Sequence, residues 1–70
     1  MSTLTVNGRE HGFEAGTFPA SVLDLITHLA LPAEALVAEL DGEVVRPRDF
    51  ATTPLTPGSR IELVQFVGGG

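Results

Sequence analysis

Arg60-Ile61-Glu62-Leu63-Val64-Gln65-Phe66-Val67-Gly68-Gly69-Gly70 ends the chain and joins its longest strand candidate directly to three glycines. By the two-residue strand period, Ile61, Leu63 and Gln65 share one face, while Glu62, Val64 and Phe66 share the other. Apolar residues therefore occur on both faces. If Ile61 and Leu63 meet a core, Val64 and Phe66 lie on the uncovered side, where a monomer has no need of them. Val64 and Phe66 are the predicted docking residues, with Glu62 tuning partner choice by charge. The glycines place the terminal carboxylate on an extended tether without side chains, thin enough to enter a narrow active site. Such an end is by itself equally compatible with terminal disorder.

Upstream, Leu36–Leu40, Asp41-Gly42 and Glu43–Val45 form the clearest hairpin signal, because Asp-Gly suits the positive φ angles of a tight turn. Leu4-Thr5-Val6 followed by Asn7-Gly8 predicts a first strand and turn, with a return strand over about Arg9 to Glu14 that Gly12 weakens or bulges. Between the hairpins, Ser21-Val22-Leu23-Asp24 carries an N-cap hydroxyl with an acid three residues on. Val22, Leu25, Ile26 and Leu29 then form one apolar stripe, and Pro32 disfavours helical geometry at Leu31, so a helix should end near Ala30. Arg46-Pro47-Arg48-Asp49 breaks the pattern, Phe50 offers an aromatic anchor, and Pro57-Gly58 signals a turn before the last strand. The order of two strands, a helix, two strands, a loop and a strand predicts an α+β fold. It is a mixed sheet of about five strands with one main helix on one face and the other face open. Residues 1–67 are expected to form a single domain, and 68–70 a flexible tail.

Composition narrows the functional classes. The chain has 70 residues, a formal net charge of −5, 43% hydrophobic residues and no cysteine, enough for one small core and no disulfide. Its basic residues are Arg9, Arg46, Arg48 and Arg60 against nine carboxylates, so the footprint of a nucleic-acid or anionic-membrane binder is missing. The start, MSTLTVNGRE, has no signal-peptide pattern, and no apolar run approaches the roughly 20 residues of a membrane span. The expected location is the cytoplasm.

Side-chain chemistry is scarce. Thiol nucleophiles and zinc thiolates are excluded, and His11 and His28 fall on different elements without ligand-like spacing. His28 reads as a solvated helix residue four positions after Asp24. With no lysine, the chain has no P-loop to hold a nucleoside triphosphate and no side-chain amine to accept an isopeptide bond. The glycine tail makes the backbone terminus the expected seat of function.

Val6-Asn7-Gly8, Ser21–Ile26, Glu39–Val45, Arg46-Pro47-Arg48 and Ile61–Gly70 together resemble the ubiquitin-like β-grasp sulfur carriers, most closely the branch serving thiamine biosynthesis. The resemblance covers nearly the whole chain and implies a β-grasp fold. It also implies a protein cosubstrate that is not itself an enzyme and binds no cofactor. On this resemblance, an E1-like adenylating enzyme with ATP converts the Gly70 carboxylate to an acyl-adenylate. A persulfide protein then supplies sulfur to form a thiocarboxylate, and thiazole synthase receives it. Gly70 is then the modified residue, while Gly68 and Gly69 thread the partner's active site. A Cβ at Gly69 would restrict that segment and widen it. The alternatives are the small subunit of molybdopterin synthase, a ubiquitin-like modifier of other proteins, and a plain interaction module.

Overall fold

The computed structural model describes residues 1–66; Val67, Gly68, Gly69 and Gly70, and with them the expected boundary between domain and tail, lie outside the described residues. Strands β1 (Ser2–Val6), β2 (Arg9–Phe13), β3 (Leu36–Leu40), β4 (Glu43–Val45) and β5 (Arg60–Gln65) surround helix α1 (Val22–His28) in the chain order β1-β2-α1-β3-β4-β5. The five strands form one mixed sheet in the order β2-β1-β5-β3-β4. β5 runs parallel to β1 and antiparallel to β3, so the last strand is the central one.

Both hairpin turns take the geometry their sequences call for. Asn7 and Gly8 have φ of 51° and 81°, and Asp41 and Gly42 have 49° and 90°, the paired positive values of a type I′ turn. Gly12 forms no bulge. It pairs in register with Thr3, and the side chain of Met1 occupies the space that a Cβ at Gly12 would need.

Ser21 caps α1 by accepting the Asp24 N–H on its hydroxyl at 3.2 Å. Val22 and Leu25 are fully buried and Ile26 nearly so, against the sheet's inner face of Leu4, Val6, Leu36, Ala38, Val45, Ile61 and Leu63. Phe50, 1% exposed, is the predicted aromatic anchor of this core.

The helix is shorter than the spacing of Pro32 implies. It stops at His28, with Leu29 half-buried as its C-cap and Ala30 in the left-handed region at φ 58°. The Ala30 N–H donates to the Thr27 carbonyl at 3.0 Å and the Leu31 N–H to the Ile26 carbonyl at 3.1 Å. This is a Schellman ending, which satisfies carbonyls that the helix leaves free. Leu31 then folds back onto the core. Two short 3-10 turns, Ala33–Ala35 and Pro47–Asp49, occupy segments that carry no periodic signal.

Alanine in the left-handed region costs about 1–2 kcal/mol relative to the right-handed one. Glycine there loses part of that gain through greater freedom in the unfolded chain. Ala30→Gly should therefore stabilise the fold by about 0.5–1 kcal/mol, read as a higher urea midpoint at unchanged slope. A lower midpoint would mean that the turn tolerates alanine without strain.

Candidate functional site

The candidate site is the end of β5 and the sheet face that α1 leaves uncovered. Ile61 and Leu63 point inward, at 0% and 7% exposure, and Val64 points outward at 60%. Glu62 is exposed on that same outer face. Phe66 follows the strand rather than belonging to it, yet its N–H still donates to the Ala35 carbonyl at 3.0 Å, and its side chain is 47% exposed. The strand predicted over Arg60–Val67 thus ends at Gln65, because β3, its partner on that side, begins at Leu36.

Cross-strand register enlarges the patch. Val37 lies opposite Val64, Glu39 opposite Glu62, and Val44 opposite Glu39. Val37 and Val44 are 43% and 64% exposed, so three valines from three neighbouring strands lie on the open face. Sequence reading missed Val37 and Val44, although their phase was available. In Leu36–Leu40 the buried positions are Leu36 and Ala38, and period two puts Val37 outside. What one strand could not supply was the pairing that sets the valines side by side.

Charge surrounds the patch. Glu39 and Glu62 stand directly opposite each other, and like charges so placed disfavour the pairing. The ion pair among the described residues is Arg48 with Asp49 at 4.0 Å, well exposed and worth little. Neither Glu39 nor Glu62 is therefore neutralised by a close basic group among the described residues, and the outer face is apolar with an acidic rim. At the far end of β5 from the chain terminus, Thr5, Glu39, Asp41, Arg60 and Glu62 line an open depression of about 420 Å³.

Two turns grip the final strand. The Arg60 N–H donates to Oδ1 of Asp41 at 2.8 Å, and the Asp41 N–H donates to the Arg60 carbonyl at 2.8 Å. On the other side the Asn7 N–H donates to the Ile61 carbonyl at 2.9 Å. The chain that leads to Gly70 therefore starts from a central strand anchored on both edges. Gly68, Gly69 and Gly70 themselves lie outside the described residues.

The histidines stand apart from this surface. His11 is on β2, and His28 is exposed at the end of α1 with its ring 5.5 Å from that of Phe13. Arg46 and Arg48 are exposed beside the second 3-10 turn. No helix among the described residues is long and apolar enough to cross a membrane.

A five-stranded mixed sheet with its last strand central and one helix on one face defines the β-grasp fold of ubiquitin-like proteins. The match extends to the family level: the model of the ThiS family covers residues 5–70, and the chain belongs to that family. A crystal structure of a thiamine biosynthesis protein (ThiS) from Geobacter metallireducens is 35% identical, with a TM-score of 0.81 over 97% of this chain and 99% of that one. The solution structure of a thiamine biosynthesis protein from the same organism gives 35% and 0.78, over 97% of this chain and 87% of that one. A curated relative named thiazole synthase, from Paramagnetospirillum magneticum, is 30% identical over 67 residues. The match takes in 96% of this chain but only 20% of that relative's length. The family and the fold make this chain a sulfur carrier of the thiamine type, and small proteins of the ThiS type are carriers rather than enzymes.

The valines contribute little to the core, so their removal should leave the fold standing. The double variant Val37→Thr/Val64→Thr should change stability by no more than about 0.5 kcal/mol per site, measured by urea unfolding. A loss above about 2 kcal/mol would show that these side chains are structural.

Proposed function

We propose that Gly70 is the reacting residue and that the fold exists to present it. An E1-like partner would let the Gly70 carboxylate oxygen attack the α-phosphorus of ATP, releasing pyrophosphate and leaving an acyl-adenylate. A persulfide sulfur from a donor protein then attacks the carbonyl carbon, AMP departs, and cleavage of the sulfur–sulfur bond by a thiol leaves a thiocarboxylate. The sequence of two easier steps is needed because a free carboxylate resists nucleophiles, whereas the mixed anhydride carries a good leaving group. The thiocarboxylate passes its sulfur to thiazole synthase. ATP is consumed by the partner, and this chain binds no cofactor of its own. The reading sets the protein in the cytoplasm with these partners.

The observation that carries the reading is the position of β5. The strand running toward Gly70 is bonded on both sides in the middle of the sheet, beside exposed Val37, Val44 and Val64. Family membership over residues 5–70 supports carrier chemistry at the terminus. A segment similar to this chain also forms 20% of a protein named thiazole synthase. Sequences joined in one polypeptide in one organism commonly work together in another, which supports thiazole synthase as the recipient. Val37, Val64 and Phe66 form the docking surface, and Glu62 with Glu39 favours a partner with a basic rim.

Gly69→Val tests the threading of the tail. The variant should keep the urea midpoint of the wild type and still bind the activating enzyme. Its ATP–pyrophosphate exchange should fall at least a hundredfold, because a Cβ at Gly69 narrows the backbone and widens the segment. Wild-type exchange by Gly69→Val would remove the tail from the mechanism.

A further inference from the structure

Asn7 sits in the β1–β2 turn, where its φ of 51° is one that asparagine and glycine tolerate. The turn alone would account for the residue, yet its side chain does more. Oδ1 of Asn7 accepts the Leu63 N–H at 2.7 Å, and Nδ2 donates to the Leu63 carbonyl at 3.2 Å, across 56 residues of sequence. A carboxamide offers the same donor and acceptor as a peptide unit. Val6 opposite Ile61 is the last register pair of the parallel ladder, after which the main chain turns away into β2. The Asn7 side chain thus supplies one further rung in place of the departed backbone.

That rung falls at a decisive point. Among the described residues, Leu63 is the last of β5 to be bonded from the β1 side. Beyond it, Val64, Gln65 and Phe66 are held through β3 and Ala35 alone. Phe66 lies three positions beyond Leu63, and an extended stretch of that length spans about 10 Å. A swing of about 15° at Leu63 would move Phe66 by about 2.6 Å, when misplacement of about 1 Å can cost a hundredfold in rate.

We propose that Asn7 is a positioning residue for the C-terminal segment: its carboxamide clamps Leu63 and sets the direction in which the chain leaves the sheet toward the activating enzyme. The functional half rests on the reading of Gly70 as the reacting residue; the clamp itself does not. Val64 stays paired with Val37 on β3 when the clamp is lost, so the loss should lower kcat for adenylation by a larger factor than it raises KM. A merely destabilising change would instead deplete folded carrier and raise the apparent KM.

Two variants separate the clamp from the turn. Asn7→Gly keeps the positive φ and removes the carboxamide. Asn7→Asp keeps an acceptor for the Leu63 N–H but sets a second acceptor against the Leu63 carbonyl where a donor stood. Amide hydrogen exchange on the isolated protein, followed by ATP–pyrophosphate exchange kinetics with the activating enzyme, reads both halves. For Asn7→Gly, exchange at Leu63 should rise at least tenfold while that at Leu4 and Ile26 is unchanged, and kcat should fall at least fivefold with less than a twofold rise in KM. For Asn7→Asp, protection at Leu63 should return as pH falls toward about 4, where a protonated carboxyl can donate again. Unchanged exchange at Leu63 in both variants would overturn the clamp. Faster exchange with wild-type kcat would overturn its role in positioning. A wild-type chain that is never adenylated would overturn the reading of Gly70 and the functional half of this proposal, leaving the exchange result to judge the clamp.

Discussion

The structure depends on the insertion of the last strand between the first and the third. β5 has β1 on one side and β3 on the other, so the sheet is continuous only when the end of the chain is in place. Before that, β1–β2 and β3–β4 are two separate hairpins, and an isolated hairpin is at best marginally stable in water. Ile61 and Leu63 complete the layer on which α1 rests, and a seven-residue helix has no stability of its own without such packing. Folding is therefore coupled to the placement of the strand that leads to Gly70.

The same arrangement separates support from chemistry. Side chains facing α1 are apolar and closely buried, whereas the opposite face carries Val37, Val44 and Val64 among Glu39 and Glu62. A small domain gains little from exposed valines and loses something from opposed glutamates. Both features become useful when a partner covers the face, since the valines then bury apolar area and the carboxylates select a basic rim. In this account the chain brings no side-chain nucleophile and no bound cofactor to the reaction. Under the proposal its contribution is the Gly70 carbonyl carbon, which follows Gln65, the last residue of β5, by five positions in sequence.

Much of this was legible in the sequence because the signals were local. Asn7-Gly8 and Asp41-Gly42 specify turns through backbone conformations that few residues accept, and both form as read. Ser21 with Asp24 marks the start of α1, and the stripe of Val22, Leu25 and Ile26 identifies its buried side. The alternation in β5 placed Val64 outside and Leu63 inside. Less was legible where energy comes from distant partners. Pro32 set the expected helix end near Ala30, and the earlier stop at His28 was hidden because Ala30, unlike glycine, does not advertise a left-handed cap. Val37 joined the patch only through its register with Val64, and the side chain of Asn7 reaches a strand 56 residues away. Gly12 read as a weak point or a bulge because glycine lacks strand propensity; the side chain of Met1 lying over it shows another use for the missing Cβ.

The central claim is that the chain acts through the carboxylate of Gly70, and mass spectrometry of the C-terminal peptide tests it most directly. The protein would be incubated with the activating enzyme, ATP and a sulfur source, then treated with a thiol-alkylating reagent. Because the chain has no cysteine, an alkylated product cannot arise from a side-chain thiol. Replacement of oxygen by sulfur nearly matches the mass of oxidised Met1, so the change must be localised to the terminal fragment. An alkylated group at Gly70 that disappears when ATP is omitted is the predicted result. An unmodified terminus, with the activating enzyme shown to be active on its own carrier, would contradict the account.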